Sequence, residues 1–176
     1  MDKIIVREVE ERDAAALLGL MRLLDSETDF MLLEAGERET TLGQQLLMIQ
    51  RVHERPNQMI LVAVSPDGEL VGYVAGLGGR ARRNRHKADV VIGVTQGYVG
   101  QGLGTRLLGQ LEKWARAQEL HKLELTVMAH NKAAIRLYEK MGFMDEGRQL
   151  DSLCVNGRFV DELSMGKVLS TGREGC

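Results

Sequence analysis

With 176 residues, 44% of them hydrophobic and 27% charged, the chain has the length and composition of one globular domain. Its formal net charge of −2 gives no general reason to bind nucleic acid or an anionic membrane, and no apolar run nears the roughly 20 residues of a membrane-spanning helix. The two cysteines, Cys154 and Cys176, are too few for a disulfide framework and read as free thiols of a reducing compartment, so the expected location is cytoplasmic.

Ile4–Glu8 predicts a first strand, and its apolar stretch is too short for a signal-peptide core. Asp13 then caps a helix in which Leu17, Leu18, Met21 and Leu24 recur at helical spacing. Glu39–Arg55 predicts a second helix, stopped by Pro56. Met59–Val64 and Leu70–Leu77 predict strands joined through the turn Ser65-Pro66-Asp67-Gly68. Ala88–Val94 is a further apolar, β-branched run. A glycine-rich loop follows it, then a helix from about Thr105 to Glu119. Lys122–Val127 alternates as a strand does, and Asn131–Met141 predicts a helix that Gly142 ends. Phe143–Val155 and Arg158–Val168 form a last hairpin around Asn156-Gly157, the favoured pair for a type I′ turn. The order β-α-α-β-β-β-α-β-α-β-β predicts a mixed α/β layer structure. It is a single domain over residues 1–169, with a polar, frayed tail at 170–176.

The loop from Gly97 to Thr105 carries glycines at 97, 100, 102 and 104 between a strand and a helix. Glycine lets the backbone take positive φ and approach a ligand closely. Successive amides then converge on one concavity, and the helix start adds free N–H groups and a positive dipole end. The arrangement suits a pyrophosphate. A P-loop would need lysine where Leu103 stands, and a dinucleotide fingerprint starting at Gly100 would need glycine where Thr105 stands. Downstream, Asn131, Ala134 and Tyr138 share a helix face, the first and last about 10 Å apart along the axis. Ala134 leaves room between the two polar groups. Taken alone, the pattern favours the plainer reading, Asn131 as a cap and Tyr138 as a half-buried core aromatic.

Together these segments resemble the GNAT superfamily of acyl-CoA-dependent N-acyltransferases. The loop Val99-Gly100-Gln101-Gly102-Leu103-Gly104 is similar to the family's loop motif, although the family usually opens it on Gln or Arg rather than Val. Leu123–Val127 followed by Asn131–Phe143 matches the next motif more specifically. The resemblance implies a twisted mixed, mostly antiparallel β-sheet flanked by helices, and an acetyl-CoA-dependent N-acetyltransferase with no metal. It further implies that the amides of Val99, Gly100, Gln101, Gly102, Leu103, Gly104 and Thr105 cradle the CoA pyrophosphate. Val94 would pair its backbone with pantetheine, Asn131 would hydrogen-bond the same arm, and Tyr138 would sit by the thioester sulfur.

That chemistry needs a neutral amine, so a base or a water chain must take a proton. The developing oxyanion needs a donor, for which a backbone N–H near Val94 serves. The departing thiolate needs a proton, which a tyrosine hydroxyl supplies at neutral pH; Tyr138 is the expected general acid. His86, Glu124 and Glu37 are candidate bases, each also readable as an ordinary surface residue. Phe30 would add an apolar wall to an amine site near Glu37. Asp25, Glu27, Asp29, Glu34, Glu37 and Glu39, set against Arg38 alone, read as a solvated loop or as a funnel for a cationic amine. The basic run Arg80–Lys87 reads as an exposed turn, or as a contact for the CoA 3′-phosphate, an acidic substrate or RNA, with nucleic acid ranked last. A small-molecule amine is the expected acceptor. A protein N-terminus or lysine, or a non-catalytic acyl-CoA sensor, are the alternatives. The apolar alternation of Phe159–Met165 permits a homodimer.

Overall fold

The computed structural model describes residues 3–169. Seven strands, β1 (Ile5–Glu8), β2 (Gln58–Val64), β3 (Leu70–Gly78), β4 (Lys87–Val94), β5 (Lys122–Met128), β6 (Met144–Val155) and β7 (Arg158–Val168), form one sheet in the order β1-β2-β3-β4-β5-β7-β6. Every neighbouring pair is antiparallel except β4–β5. Those two are joined by a helical crossover, which a parallel pair requires. The four helices are α1 (Ala14–Glu27), α2 (Leu42–His53), α3 (Leu103–Ala117) and α4 (Lys132–Lys140).

Alternation along each strand assigns the two faces. Ala88, Val90, Leu123, Leu125 and Val127 pack against Leu103, Leu107, Leu108 and Leu111 of α3 and Tyr138 of α4. On the opposite face Ile60, Val62, Tyr73 and Ala75 pack against Leu17, Leu20, Met21 and Leu24 of α1 and Ile49 and Val52 of α2. Truncating a side chain as fully enclosed as Leu107 or Leu111 costs about 2–5 kcal/mol, so α3 is firmly seated.

The predicted element order holds, with one cap that differs and two helix starts that shift. Asp13 does not cap α1. Its carboxylate instead accepts from the Glu10 N–H (2.8 Å) and from both Arg7 nitrogens (2.7 and 2.9 Å), which orders the 3-10 turn Glu11–Asp13 ahead of the helix. Helix α2 starts at Leu42 rather than Glu39, because Thr41 and Gln44 form a reciprocal capping box. Helix α3 starts at Leu103, two residues before Thr105. Strand β7 lies between β5 and β6, so the free edge at this end belongs to β6. The backbone of Phe159–Met165 is paired inside the sheet, while the Phe159 side chain stays exposed. Cys154 is an exposed free thiol; Cys176 and the 170–176 tail fall outside the described residues. Among the described residues no helix is long and apolar enough to cross a membrane.

One irregularity positions everything that follows. Strand β4 pairs with β5 only at Lys87–Asp89 against Lys122–Glu124. Beyond that the strands part, although β4 runs on to Val94 and β5 to Met128. The sheet therefore opens into a wedge with ladder groups unpaired along both inner edges.

Candidate active site

The glycine-rich loop crowns the β4 side of the wedge. Thr95 closes the strand, its N–H and hydroxyl both donating to the Val71 carbonyl (3.0 and 3.2 Å). A short 3-10 turn, Gln96–Tyr98, follows. Gly100 and Gly102 then take φ of +77° and +79°, values an L side chain rarely adopts, with open space around both. Among the described residues no backbone or side-chain acceptor meets the N–H groups from Gly100 through Thr105. Alternating left-handed glycines and a helix start turn such a run into an anion cradle. The Val99 N–H is not part of it, since it donates to the Gln96 carbonyl (3.3 Å). The loop's side chains have other duties. Leu103 is core, Val99 points to solvent, and the Gln101 amide donates to the Gly97 carbonyl (2.8 Å). Gly104 serves packing, because a Cβ there would lie 2.9 Å from Leu137 of α4. It lets the two helices close beside the wedge.

The β5 side carries Asn131 and Tyr138. The Asn131 Oδ1 accepts from the Ala134 N–H (3.2 Å) and caps α4. This fixes the amide, and its Nδ2 has no acceptor among the described residues. Cap and candidate ligand donor are thus one side chain. Ala134 is half-buried, and Tyr138 is 8% exposed with its ring 5.9 Å from Phe143. The Tyr138 hydroxyl has no hydrogen-bond partner among the described residues. Burial pushes its pKa up to about 12, so at neutral pH it is a proton donor. Val94 ends β4 on the open edge.

Sequence reasoning missed Asp89. It sits at the apex of the wedge, opposite Glu124 in the last β4–β5 pair. The two carboxylates face different surroundings. Glu124 is ion-paired to Lys87 and faces Lys122 (3.5 Å), and these cations hold its pKa low against the opposing effect of burial. Partial desolvation, then the charge of Glu124, raise Asp89. The two environments push in opposite directions: the lysines favour the ionised form of Glu124, whereas Asp89 is the readier of the two to bind a proton. The available signal was a charged residue inside the apolar run Ala88–Val94; its partner on β5 was visible only in three dimensions.

The other expected residues disperse. His86 immediately precedes β4, about 26 Å from Val94 at a rise of about 3.3 Å per strand residue, and packs against His121 (6.0 Å). It does not reach the loop. The same separation places the basic run Arg80–Lys87 at the opposite end of β4 from the loop amides. Phe30 does approach, its ring 5.1 Å from His130, next to Asn131. Glu37 is exposed and accepts the Glu34 N–H (2.9 Å), closing a local turn. Three carboxylates of the acidic stretch have fixed partners, and one of those partners is a cation. Asp25 is buried in a two-pronged pair with Arg38 (2.6 and 3.0 Å), Glu27 accepts the Gln96 N–H (3.0 Å), and Asp29 accepts from Asn156 (3.0 Å). The last two bonds tie the α1–α2 connection to both sides of the wedge. Among the described residues no group of three or more His, Cys, Asp or Glu side chains is arranged to hold a metal ion.

Comparison with known proteins agrees with this geometry. The model of the Acetyltransferase (GNAT) family matches residues 20–143. The chain is 28% identical over 172 residues to an L-amino acid N-acetyltransferase of Escherichia coli K12, covering 96% of this chain and 99% of that protein. A solved GNAT-family acetyltransferase from Streptococcus pneumoniae superposes with a TM-score of 0.91 at 32% identity, covering 96% of this chain and all of the other. A Salmonella typhimurium protein solved with acetyl-CoA as its cofactor shares the fold at a TM-score of 0.87 and 21% identity, covering 99% and 98%.

Proposed function

The chain belongs to the Acetyltransferase (GNAT) family, and on that premise we propose that it moves an acetyl group from acetyl-CoA to a primary amine of a small molecule, by direct attack in a ternary complex. The observation that carries this reading is the run of unpaired amides from Gly100 to Thr105 at the head of a wedge whose inner edges lack ladder partners. Such a site fits a pyrophosphate followed by a narrow chain with its own amides. The full-length similarity to an enzyme named for L-amino acids supports a small acceptor.

Acetyl-CoA, when bound, supplies an acetyl group activated as a thioester. The amides of Gly100–Thr105 hold its pyrophosphate, and the open edge of β4 ending at Val94, with the Asn131 Nδ2, aligns the pantetheine arm. A backbone N–H on that edge meets negative charge developing on the acetyl oxygen. The Tyr138 hydroxyl donates a proton to the departing sulfur. Asp89 receives the amine's proton through water, and Glu124 is too well neutralised by lysines to do so. Calorimetric titration with acetyl-CoA, followed by thiol release over a panel of amines, tests the proposal. Binding with amine-dependent thiol release supports it. Binding without release on any amine favours an acyl-CoA sensor, and absence of binding removes the site.

A further inference from the structure

The two faces of the wedge are unlike. Toward α3 and α4 the alternate residues Ala88, Val90, Leu125 and Val127 are buried. On the other face α1 and α2 cover β2 and β3, while Asp89, Val91 and Thr126 stay exposed. A molecule that joins a ligand already lying in the wedge therefore reaches it from the α1 side. Tyr73 of β3 stands at the border of that opening. It faces Gly93 directly in the β3–β4 ladder, and a Cβ on Gly93 would lie 3.2 Å from its Cε1 and 2.5 Å from Cδ1 of Leu24. The bare glycine lets the ring and α1 close down over β4, one residue before the strand ends at Val94.

The ring is 3% exposed, yet its hydroxyl has no hydrogen-bond partner among the described residues. Hydroxyls so deep in a fold are ordinarily bonded, because an unbonded one loses the solvation it had in water. The nearby ionic groups do not serve it, since Arg38 and Asp25 are bonded to each other. Burial, opposed by the Arg38 charge and aided by that of Asp25, pushes the Tyr73 pKa up to about 12, so the phenol is neutral at physiological pH. Tyr138 answers the same description on the α4 side. Two buried phenols without protein partners thus meet one gap in the sheet, one from each face.

We propose that Tyr73 is the acceptor's contact: its hydroxyl oxygen accepts a hydrogen bond from the amine and turns the nitrogen lone pair toward the thioester carbonyl, while Tyr138 serves the sulfur from the other face. This rests on the N-acetyltransferase reading and adds the residue that receives the acceptor. One N–H of the neutral amine is held. The lone pair closes on the carbonyl carbon, the carbon–sulfur bond breaks, the nitrogen's surplus proton leaves through water, and sulfur takes the Tyr138 proton. Tyr73 keeps its own proton throughout. Because the contact is made to nitrogen, it is indifferent to the rest of the acceptor.

The test measures thiol release with n-butylamine, L-leucine and spermidine, and acetyl-CoA affinity by calorimetry. Tyr73→Phe keeps the ring over Gly93 and removes one oxygen that bonds nothing in the protein. It is expected to lower kcat/KM about tenfold, the upper reach of one neutral hydrogen bond, by a similar factor for every amine the wild type uses, and to leave acetyl-CoA affinity within about twofold. A second measurement needs no variant. In protein carrying ring-labelled tyrosine and bound to acetonyl-CoA, a thioether that cannot give up an acetyl group, added n-butylamine shifts the Tyr73 NMR signal. An amine-dependent kcat/KM within about twofold of wild type, a Tyr73 signal indifferent to the amine, or a loss that falls on acetyl-CoA affinity instead, as a bond to the pantetheine arm would give, overturns the assignment while leaving the enzyme an N-acetyltransferase. Wild-type protein that binds acetyl-CoA but releases no thiol with any of these amines, or that does not bind acetyl-CoA, overturns the underlying reading and this one with it.

Discussion

Replacing Tyr138 with Phe removes a single oxygen, and the structure separates its effect on catalysis from its effect on folding. The hydroxyl has no protein partner among the described residues, so its loss orphans no buried group. The ring keeps its burial and its contact with Phe143. Stability should change by no more than about 0.5 kcal/mol, since none of the mechanisms behind large losses is engaged. Turnover should fall about 10²-fold or more, the usual contribution of a positioned proton donor, which is about 3 kcal/mol of barrier. Affinity for acetyl-CoA should move less than about threefold, because a donor that acts on departing sulfur stabilises the transition state and not the bound ground state. With burial holding the phenol at about 12, the donor keeps its proton throughout the workable alkaline range. Wild-type turnover should therefore show no alkaline decline from this group below about pH 11. Steady-state thiol release, calorimetry and a thermal melt measure the three quantities. Turnover within threefold of wild type, or equal losses in turnover and affinity, would refute the role.

Gly102→Ala should fold with a penalty of about 1–2 kcal/mol, since its φ is +79° but a Cβ meets nothing within 4 Å, and should weaken acetyl-CoA at least about tenfold by calorimetry as the amide cradle is redirected. Arg38→Ala leaves the Asp25 carboxylate, 1% exposed, without its counter-ion and should lose about 3–5 kcal/mol in urea denaturation; pairing it with Asp25→Leu should recover most of that. The Arg7 guanidinium holds the Asp13 carboxyl below the usual carboxylate range, so its contribution is complete above about pH 4 and fades as pH falls through the lowered value. Asp13→Asn should flatten that part of the acid-unfolding curve and lower stability at neutral pH; an unaltered curve would mean the pair contributes nothing.

What the sequence disclosed follows the range of the interactions involved. Strands and helices announce themselves through neighbours within a few residues, as in the Ser65–Gly68 turn and the Asn131 cap. The cradle was legible for the same reason, being a feature of consecutive residues. His86 leads into the strand before the loop, yet an extended strand carries the chain about 3.3 Å per residue and so places it far from the cradle. The acidic stretch is compensated in charge only by Arg38 on Asp25; Glu27 and Asp29 meet neutral amides that lie far away in sequence, Gln96 at 69 residues and Asn156 at 127. Asp89 hid inside an apolar run, and what distinguishes it is a carboxylate 35 positions later, brought alongside by a parallel crossover.

The wedge explains why so much of the site depends on such distant pairs. Each inner strand keeps its outer partner over its whole working length, β4 against β3 from Ala88 to Val94 and β5 against β7 from Lys122 to Met128. They share only three pairs with each other. The sheet thus forgoes a set of ladder bonds in its own middle, where continuous pairing would satisfy every amide and be the more stable arrangement. Unpaired strand edges are ordinarily a liability, managed by being short, twisted or covered. Here α3 and α4 cover one face, and the Gly104–Leu137 contact keeps those helices close beside the gap. On the proposed function, a narrow ligand that brings its own amides would restore the missing bonds, and its binding energy would come from groups the fold has left unpaired. A substitution that let β4 and β5 zip further would therefore stabilise the chain and abolish its activity together.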